Sequence, residues 1–196
     1  MNTNPSGSRQ KLIQATIGLI AAKGFENTGI NEILSAARVA KSNFYYHFAS
    51  KEELCLTALE AMMEHYFEEV IRKTLLNTSM EPAHRLEAFC RGITSKMISN
   101  CCKAGCPFIN LGNETSDFYP TFRAKIQEIN QRQLDAIAQC IEDGIAAGAF
   151  RPDLDPMAVA RFVMAEINGS ILMSKIYREG NILEDNFRTL FAILTK

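Results

Sequence analysis

Apolar residues recur along this 196-residue chain at the three- and four-residue spacing of amphipathic helices, and no stretch alternates convincingly as a β-strand does. Leu12, Ala15 and Leu19 set a first helix. That helix is predicted to stop at Gly24, since glycine readily takes the left-handed conformation that ends many helices. The pattern therefore predicts an all-α fold.

Residues that start helices divide the rest of the chain. Ser50 with Glu53 forms a capping box that opens a long helix to about residue 75. Further helices are predicted over about 82–100, 120–148, 156–178 and 183–194, several of them opened by proline or aspartate. Residues 107–118 are expected to hold a short helix within loops, and residues 1–8 to be disordered.

Residues 28–55 have the order of a helix-turn-helix. Thr28 is expected to cap a helix that begins at Ile30, and Arg38 to lie in the turn that follows. A short second helix is predicted over residues 41–47. This order predicts that the segment binds DNA, because the second helix of such a pair enters the major groove.

The second helix has one apolar side and one polar side. Phe44 and Phe48, four residues apart, are predicted to pack inward. The outward side chains can bond base edges and phosphates. The alternative, an aromatic face buried in a core, is not favoured, because two tyrosines and a histidine lie between Lys41 and Lys51.

Charge is distributed unevenly along the chain. The formal net charge is −1, but residues 1–51 carry six Lys or Arg against two Glu, a net of +4. The remainder is acidic, with a net of −5. A positive segment that coincides with the helix-turn-helix favours duplex DNA as the partner, since neutralised phosphates supply much of the affinity.

Residues from Ser8 to about Glu60 resemble the DNA-binding domain of TetR family regulators. The matching stretches are LIQATIGLIAAKGF (12–25), TGINEILSAARVAK (28–41) and FYYHFASKEEL (44–54). The chain departs from the family pattern at Arg38, where a turn glycine is usual, and at Ala40, where a capping serine is usual. The resemblance implies a three-helix DNA-binding domain over 1–52 and a helical effector-binding and dimerisation domain over 53–196.

The resemblance also assigns roles to single residues. Tyr45, His47 and Lys51 occupy positions that grip the phosphate backbone. The full set expected at the DNA is Thr28, Arg38, Lys41, Ser42, Asn43, Tyr45, Tyr46, His47 and Lys51.

The last two helices are apolar on more than one face, which is more than one covered side requires. By resemblance to the family, these helices pair with their copies in a twofold dimer. The alternative is that both faces are buried within one chain. The residues expected at the interface are Ala160, Val163, Met164, Ile167, Ile171, Phe187, Leu190, Phe191 and Leu194.

Six cysteines raise the question of metal or thiol chemistry. Cys101, Cys102 and Cys106 lack the paired spacing of a structural zinc site, so no metal or other cofactor is expected. Cys106 lies in AGCPFINLGNETSD (104–117), which resembles a stretch of a NemR-like, cysteine-containing TetR subgroup and implies a sensor thiol. A buried, inert Cys106 is the alternative. The other effector-binding candidates are the apolar residues Met62, Tyr66, Phe89, Met97, Phe108, Phe122 and Met164.

No phosphate-binding glycine loop, zinc-protease motif or paired-carboxylate signature is present, so an enzyme is not expected. No apolar run approaches the roughly 20 residues that span a bilayer, so a location in the cytoplasm without membrane contact is expected. The sequence thus predicts a ligand-responsive repressor that binds a palindromic operator as a homodimer and is released by a small apolar or electrophilic effector. The alternatives are an architectural DNA-binding protein without ligand control and a helical small-molecule enzyme.

Overall fold

The computed structural model describes residues 5–103 and 105–195, and all regular structure in these ranges is helical. The prediction of an all-α fold is therefore confirmed. The helices are α1 (Pro5–Lys23), α2 (Ile30–Ala37), α3 (Lys41–His47), α4 (Lys51–Tyr66), α5 (Pro82–Ser99), α6 (Pro107–Thr115), α7 (Pro120–Ala146), α8 (Pro156–Tyr177) and α9 (Asn181–Leu194).

The chain forms two compact units whose boundaries are not continuous in sequence. The first unit holds the described residues up to His65 together with Pro107–Ile126. The second holds the described parts of Tyr66–Cys106 and Gln127–Lys196. Thus α6 and the first residues of α7 belong with the amino-terminal helices, an arrangement that a division at residue 52 does not anticipate.

The amino terminus is more ordered than the sequence predicts. The expected disorder of residues 1–4 lies outside the described residues, but α1 already begins at Pro5 and Ser8 is buried. The expectation of disorder for residues 5–8 is therefore wrong. Burial of Ser8 next to the apolar stripe that starts at Leu12 explains why the helix extends this far.

The first unit is built on buried side chains from each of its first three helices, including Leu12, Ile33 and Phe44. The turn between α2 and α3 places Arg38 in the left-handed region, with φ 54°. A non-glycine residue there costs roughly 1 kcal/mol. The backbone N–H groups of Arg38 and Val39 nevertheless close α2 by donating to Ser35 O and Leu34 O.

Helix α4 opens with the predicted Ser50 cap, but the return bond of the capping box goes to the residue before Ser50. The backbone N–H of Glu53 donates to Ser50 Oγ at 3.1 Å, and the Glu53 carboxylate accepts from the N–H of Ala49 at 2.7 Å. The predicted continuous helix to residue 75 is wrong, because a π-helical turn over Phe67–Ile71 interrupts it. A π-helical turn is rare and has no residue signature in this stretch, so the apolar pattern alone did not indicate it.

The second unit has a core of apolar side chains from α5, α7, α8 and α9, such as Leu86, Ile137, Val163 and Leu190. Asp155 caps α8 as predicted, since its carboxylate accepts from the N–H of Ala158 at 2.9 Å.

A buried ion pair also lies in the second unit. Arg85 Nη1 lies 2.6 Å from Asp143 Oδ2, and the Arg85 side chain is almost fully buried. Burial alone would raise the pKa of Asp143, but hydrogen bonds from Arg85 and Gln139 outweigh it and hold the pKa below its ordinary value. The pair therefore remains charged at neutral pH.

Helix α8 is both long and apolar. By length and composition it could cross a membrane, with a mean hydropathy of 1.2, and it is the one such helix among the described residues. The expectation that no apolar run approaches the length of a membrane span overlooked this helix. Val163, Ile167 and Ile171 on this helix belong to the core of the second unit, which accounts for much of its apolar character.

Candidate nucleic-acid interface

Helix α3 is held by two inward aromatic side chains. Phe44 and Phe48 are buried, and their ring centres lie 6.3 Å apart. Ala40 precedes the helix without a side-chain cap, as its sequence implies, but Ala40 O accepts from the N–H groups of Asn43 and Phe44 at 3.0 and 3.3 Å. The backbone thus closes the first turn, and the two phenylalanines fix the direction of the outward face.

The outward face of α3 is polar and aromatic. Tyr45 is 52% exposed and Tyr46 is 76% exposed. Lys41 Nζ lies 5.9 Å from the ring centre of Tyr45, and the ring of His47 meets Tyr46 edge to face at 4.9 Å. Hydroxyl, imidazole and ammonium groups on a single short helix can donate hydrogen bonds to phosphates and base edges.

Three further candidates share this region. Ser42 is exposed and Asn43 half-buried on α3, while Arg38 is exposed at the end of α2. A serine hydroxyl and an asparagine amide can bond base edges, and arginine can bond either bases or phosphates. The structure therefore leaves eight of the nine candidate side chains at least partly accessible, namely Arg38, Lys41, Ser42, Asn43, Tyr45, Tyr46, His47 and Lys51.

Thr28 is the exception. Its side chain is 0% exposed, and Oγ1 donates to Gly24 O at 2.6 Å, within the connection between α1 and α2. The predicted cap on α2 is wrong, since Gly29 occupies the N-cap position without a side-chain hydrogen bond. A competing backbone acceptor, one turn back in the chain, takes the hydroxyl instead. Thr28 thus shapes the connection and presents no side-chain surface to DNA.

Lys51 is accessible only in part, and its ammonium faces protein atoms. Nζ donates to Phe25 O at 3.0 Å and lies 4.0 Å from the centre of the Phe25 ring. Both contacts stabilise the charged group where it stands. A phosphate contact from Lys51 would therefore compete with bonds that already hold the segment after α1.

Residues 24–28, here called the corner, connect α1 to α2 and are fixed by a residue that sequence reasoning missed. The backbone N–H groups of Phe25 and Glu26 donate to the two carboxylate oxygens of Glu114, at 2.9 and 2.8 Å. Gly24 has φ +85°, and a Cβ there would collide with the same carboxylate. The positive φ favours glycine here, and any larger residue would also have to displace the carboxylate that holds the corner.

Aromatic contacts extend the same junction. The ring of Phe25 lies 5.1 Å from Tyr119 and 4.8 Å from Phe122. The Tyr119 hydroxyl donates to the Glu26 carboxylate at 2.6 Å, and this hydrogen bond raises the pKa of Tyr119. The corner is therefore bound to both the end of α6 and the start of α7.

A second missed residue is Arg9 on α1. Its guanidinium lies 5.4 Å from the ring centre of Phe48, and the side chain is exposed. The contact places a cation beside the end of α3, where it can add to the positive potential that attracts DNA. Sequence reasoning counted this charge but had no signal for its position.

The candidate effector residues are divided between the two units. Phe89 and Met97 are buried in the core of the second unit, with Tyr66, Cys106 and Met164 packed against it. Met62, Phe108 and Phe122 belong to the first unit. Phe122 in particular packs on the corner, because its ring meets Phe25. Phe122 thus packs at the corner and Phe89 in the core of the second unit, and a single effector site formed by all the candidates stays a prediction.

Within the second unit, Tyr66, Cys90 and Cys106 are close enough to affect one another electrostatically. Burial raises the pKa of Tyr66, and the neighbouring thiols of Cys106 and Cys90 raise it further. Cys106 itself is half-buried. Tyr66 and Cys106 are thus two members of the predicted effector set that the structure brings together, and Cys90 is a neighbour that the set did not include.

The residues expected at a dimer interface are largely used within one chain. Met164 and Phe191 are half-buried, and the other seven are buried, namely Ala160, Val163, Ile167, Ile171, Phe187, Leu190 and Leu194. Packing within one chain thus accounts for the seven buried side chains, and the dimer interface stays a prediction. Large apolar side chains other than those nine are exposed on α8 and α9. Their exposed fractions lie between 45% and 65%, and they are Phe162, Leu172, Met173, Ile176, Tyr177 and Ile193.

Two described protein families match this chain. The family described as "Bacterial regulatory proteins, tetR family" matches residues 12–58, and "Tetracyclin repressor-like, C-terminal domain" matches residues 82–190. The transcriptional regulator AcuR of Cereibacter sphaeroides is 31% identical over 182 residues, which cover 93% of this chain and 83% of AcuR.

Two further proteins are similar over most of their length. The transcriptional repressor NemR of Escherichia coli is 26% identical, with 91% of this chain and 89% of NemR covered. The crystal structure of the regulatory protein TetR from Rhodobacter sphaeroides superposes with a TM-score of 0.86 at 30% identity, and the match covers 96% of this chain and 99% of that one.

Proposed function

The chain belongs to the tetR family of bacterial regulatory proteins, and on that basis we propose that it is a repressor that binds a near-palindromic DNA operator as a homodimer. Its relatives are named as transcriptional regulators, so the chain is a DNA-binding regulator and not an enzyme. An architectural protein without ligand control is not favoured. A cytoplasmic location, where the DNA lies, is part of the proposal.

One observation carries the DNA-binding role. The outward face of α3 presents Lys41, Ser42, Asn43, Tyr45 and Tyr46 on a helix whose other side is anchored by buried phenylalanines. A seven-residue helix exposing this many hydrogen-bonding groups suits the major groove, where base edges display distinct donors and acceptors. Tyr45 and Lys41 are assigned to phosphates, and Asn43 with Ser42 to bases.

Dimerisation is proposed to use the exposed apolar stripe of α8 with Ile193 of α9. Phe162, Leu172 and Ile176 follow one another at helical spacing along the same side of α8. A stripe of this kind on a monomer marks an interaction surface, and a twofold axis makes it self-complementary. Two α3 helices about one turn of DNA apart would then read the two halves of the operator.

Effector control is proposed to act through α6. This helix begins at Pro107, directly after Cys106, and ends at Thr115, next to the Glu114 carboxylate that holds the corner. An effector that binds beside Tyr66 and Cys106, or modifies Cys106, need only prefer the arrangement in which α6 has moved. The corner, and with it α2 and α3, would follow.

Selection of bound sequences from a random DNA pool tests the proposal. We expect a short site with twofold symmetry, protected in a footprint as two half-sites about one helical turn apart. Asn43→Ala should change the preferred bases, while Tyr45→Phe should weaken binding to all sequences alike. Coating of DNA without a symmetric site would contradict the proposal, as would unchanged base preference in the Asn43 variant.

A further inference from the structure

Two adjacent cysteines, Cys101 and Cys102, follow the end of α5 and have an unusual backbone conformation. Cys101 has φ 51° and Cys102 has φ 52°, both in the left-handed region that favours glycine. The N–H of Cys101 donates to Ile98 O at 2.9 Å, and that of Cys102 donates to Met97 O at 2.8 Å. These bonds satisfy the last carbonyls of the helix and hold both cysteines in place.

Both residues line one open cleft of about 490 Å³ in the second unit. Cys101 is exposed, whereas Cys102 is only 4% exposed at the base of the cleft. Lys103 and Arg178 line the same cleft, and no carboxylate is among the described residues that do so. Arg178 Nη1 donates to Cys102 O at 3.0 Å, which ties the end of α8 to the cysteine pair.

The thiols elsewhere in the described residues are less suited to reaction. Burial raises the pKa of Cys55 to about 12 and that of Cys140 to about 11, and it raises the pKa of Cys90 as well. A buried thiol with a raised pKa is a poor nucleophile. Cys106 is half-buried, which leaves Cys101 as the exposed cysteine of the described chain.

We propose that Cys101 and Cys102 form a dithiol redox site that takes hydroperoxides. The thiolate of Cys101 attacks the terminal oxygen of ROOH, the O–O bond breaks, and the products are the sulfenic acid of Cys101 and an alkoxide. Lys103 and Arg178 stabilise the departing oxygen anion, which takes a proton from water. The sulfur of Cys102 then attacks the sulfenic sulfur, the S–O bond breaks, and the Cys102 proton leaves with the hydroxyl as one water, so that a Cys101–Cys102 disulfide forms.

The chain geometry makes this disulfide reversible. Consecutive Cα atoms lie about 3.8 Å apart across a trans peptide, whereas disulfides usually join Cα atoms about 4.4–6.8 Å apart. The bond is therefore strained, and strained disulfides are the readily reduced, regulatory kind. Forming the ring also changes the backbone at Cys102, whose carbonyl accepts from Arg178 at the end of α8.

The hydrogen bond between Arg178 and Cys102 connects oxidation of the site to DNA binding, and this step rests on the proposed function. Exposed Ile176 and Tyr177 directly precede Arg178 and belong to the proposed dimer surface. Oxidation would therefore alter the end of the helix through which two copies are proposed to pair. The redox chemistry itself requires neither the dimer nor DNA.

Mapping of tryptic peptides after brief treatment with one equivalent of hydrogen peroxide tests the site. Cleavage after Lys96 and Lys103 releases residues 97–103, which contain Cys101 and Cys102, and separates them from the peptide that contains Cys106. We expect peptide 97–103 to lose two hydrogens while remaining a single peptide. Linkage of this peptide to the Cys106 peptide, or oxidation of Cys106 first, would overturn the proposal.

Variants separate the two steps. Cys102→Ser should leave a sulfenic acid on Cys101 that dimedone traps, whereas Cys101→Ser should reduce oxidation of peptide 97–103 more than tenfold. Cys101→Gly suits the left-handed backbone and guards against misfolding of the serine variant. Cys106→Ser serves as the matched control and should react as the unmodified chain does. Operator binding is measured separately from the thiol chemistry. If the disulfide forms but no operator is bound, the proposed function fails and the redox site stands. If the operator is bound but no disulfide forms, the redox site fails and the proposed function stands.

Discussion

Replacement of Glu114 by alanine should loosen the corner and weaken DNA binding. The Glu114 carboxylate accepts the backbone N–H groups of Phe25 at 2.9 Å and Glu26 at 2.8 Å. The carbonyl oxygen of Phe25 accepts a hydrogen bond from Lys51 Nζ, and the Phe25 ring packs on Tyr119. Without the carboxylate, two N–H groups lose their acceptor at the segment that orients α2.

The size of the effect follows from the exposure of the two bonds. A hydrogen bond to a charged group contributes about 1.5–3 kcal/mol. The bond from Phe25 is partly buried, whereas water can replace the exposed bond from Glu26. We therefore expect a total loss of about 2 kcal/mol, which corresponds to roughly a 30-fold easier local opening.

Amide hydrogen exchange measures this opening directly. In Glu114→Ala, the Phe25 amide should exchange roughly 30 times faster, and the Glu26 amide should change less. Glu114→Gln retains one acceptor oxygen and should give about a fivefold change. Asp117→Asn removes a nearby exposed charge and serves as the control. Unchanged exchange at Phe25 in the alanine variant would refute the role given to Glu114.

Three further outcomes are expected. Lys51→Ala should lower the free energy of unfolding by about 1 kcal/mol, because Nζ binds Phe25, and should leave the salt dependence of DNA binding unchanged; a slope reduced by about one would instead show a phosphate contact. Asp143→Asn should cost about 2–4 kcal/mol at neutral pH, measured by urea unfolding, because it leaves Arg85 buried without its counter-charge. Folding lowers the pKa of Asp143. The difference in unfolding free energy between the unmodified chain and Asp143→Asn should therefore reach its full size above roughly pH 5 and shrink as the pH falls through the folded-state pKa. Ile176→Asp should weaken self-association about a hundredfold or more in sedimentation equilibrium, and a variant that stays dimeric would refute the proposed surface.

Features encoded in neighbouring residues were predictable from the sequence. The Ser50 and Asp155 caps, the turn at Arg38 and the buried pair Phe44 and Phe48 all depend on residues within a few positions of one another. Propensity and periodicity act over that range, so the pattern determines such features well. The helix-turn-helix was predictable for the same reason.

Features that depend on distant residues were not predictable in this way. Nothing near Glu114 indicates that its carboxylate binds Phe25 and Glu26, because the contact joins separate parts of the chain. Thr28 was a reasonable cap by residue type, yet its hydroxyl donates to Gly24 O and Gly29 takes the N-cap position. An apolar stripe likewise cannot say whether it faces its own chain, as Ile167 does, or solvent, as Ile176 does.

The strength of the Glu114 junction also limits how an effector can act. If the junction contributes about 2 kcal/mol, a signal that only breaks it can reduce operator affinity by about 30-fold at most. Moving a repressor from nearly all bound to nearly all free requires a differential of about 5.5 kcal/mol. The remainder must come from the relative position of two DNA-binding units in a dimer, since a mismatch there affects both half-sites together. A release larger than about 30-fold in a chain with Glu114→Ala would therefore indicate that dimer geometry, and not the corner, carries most of the response.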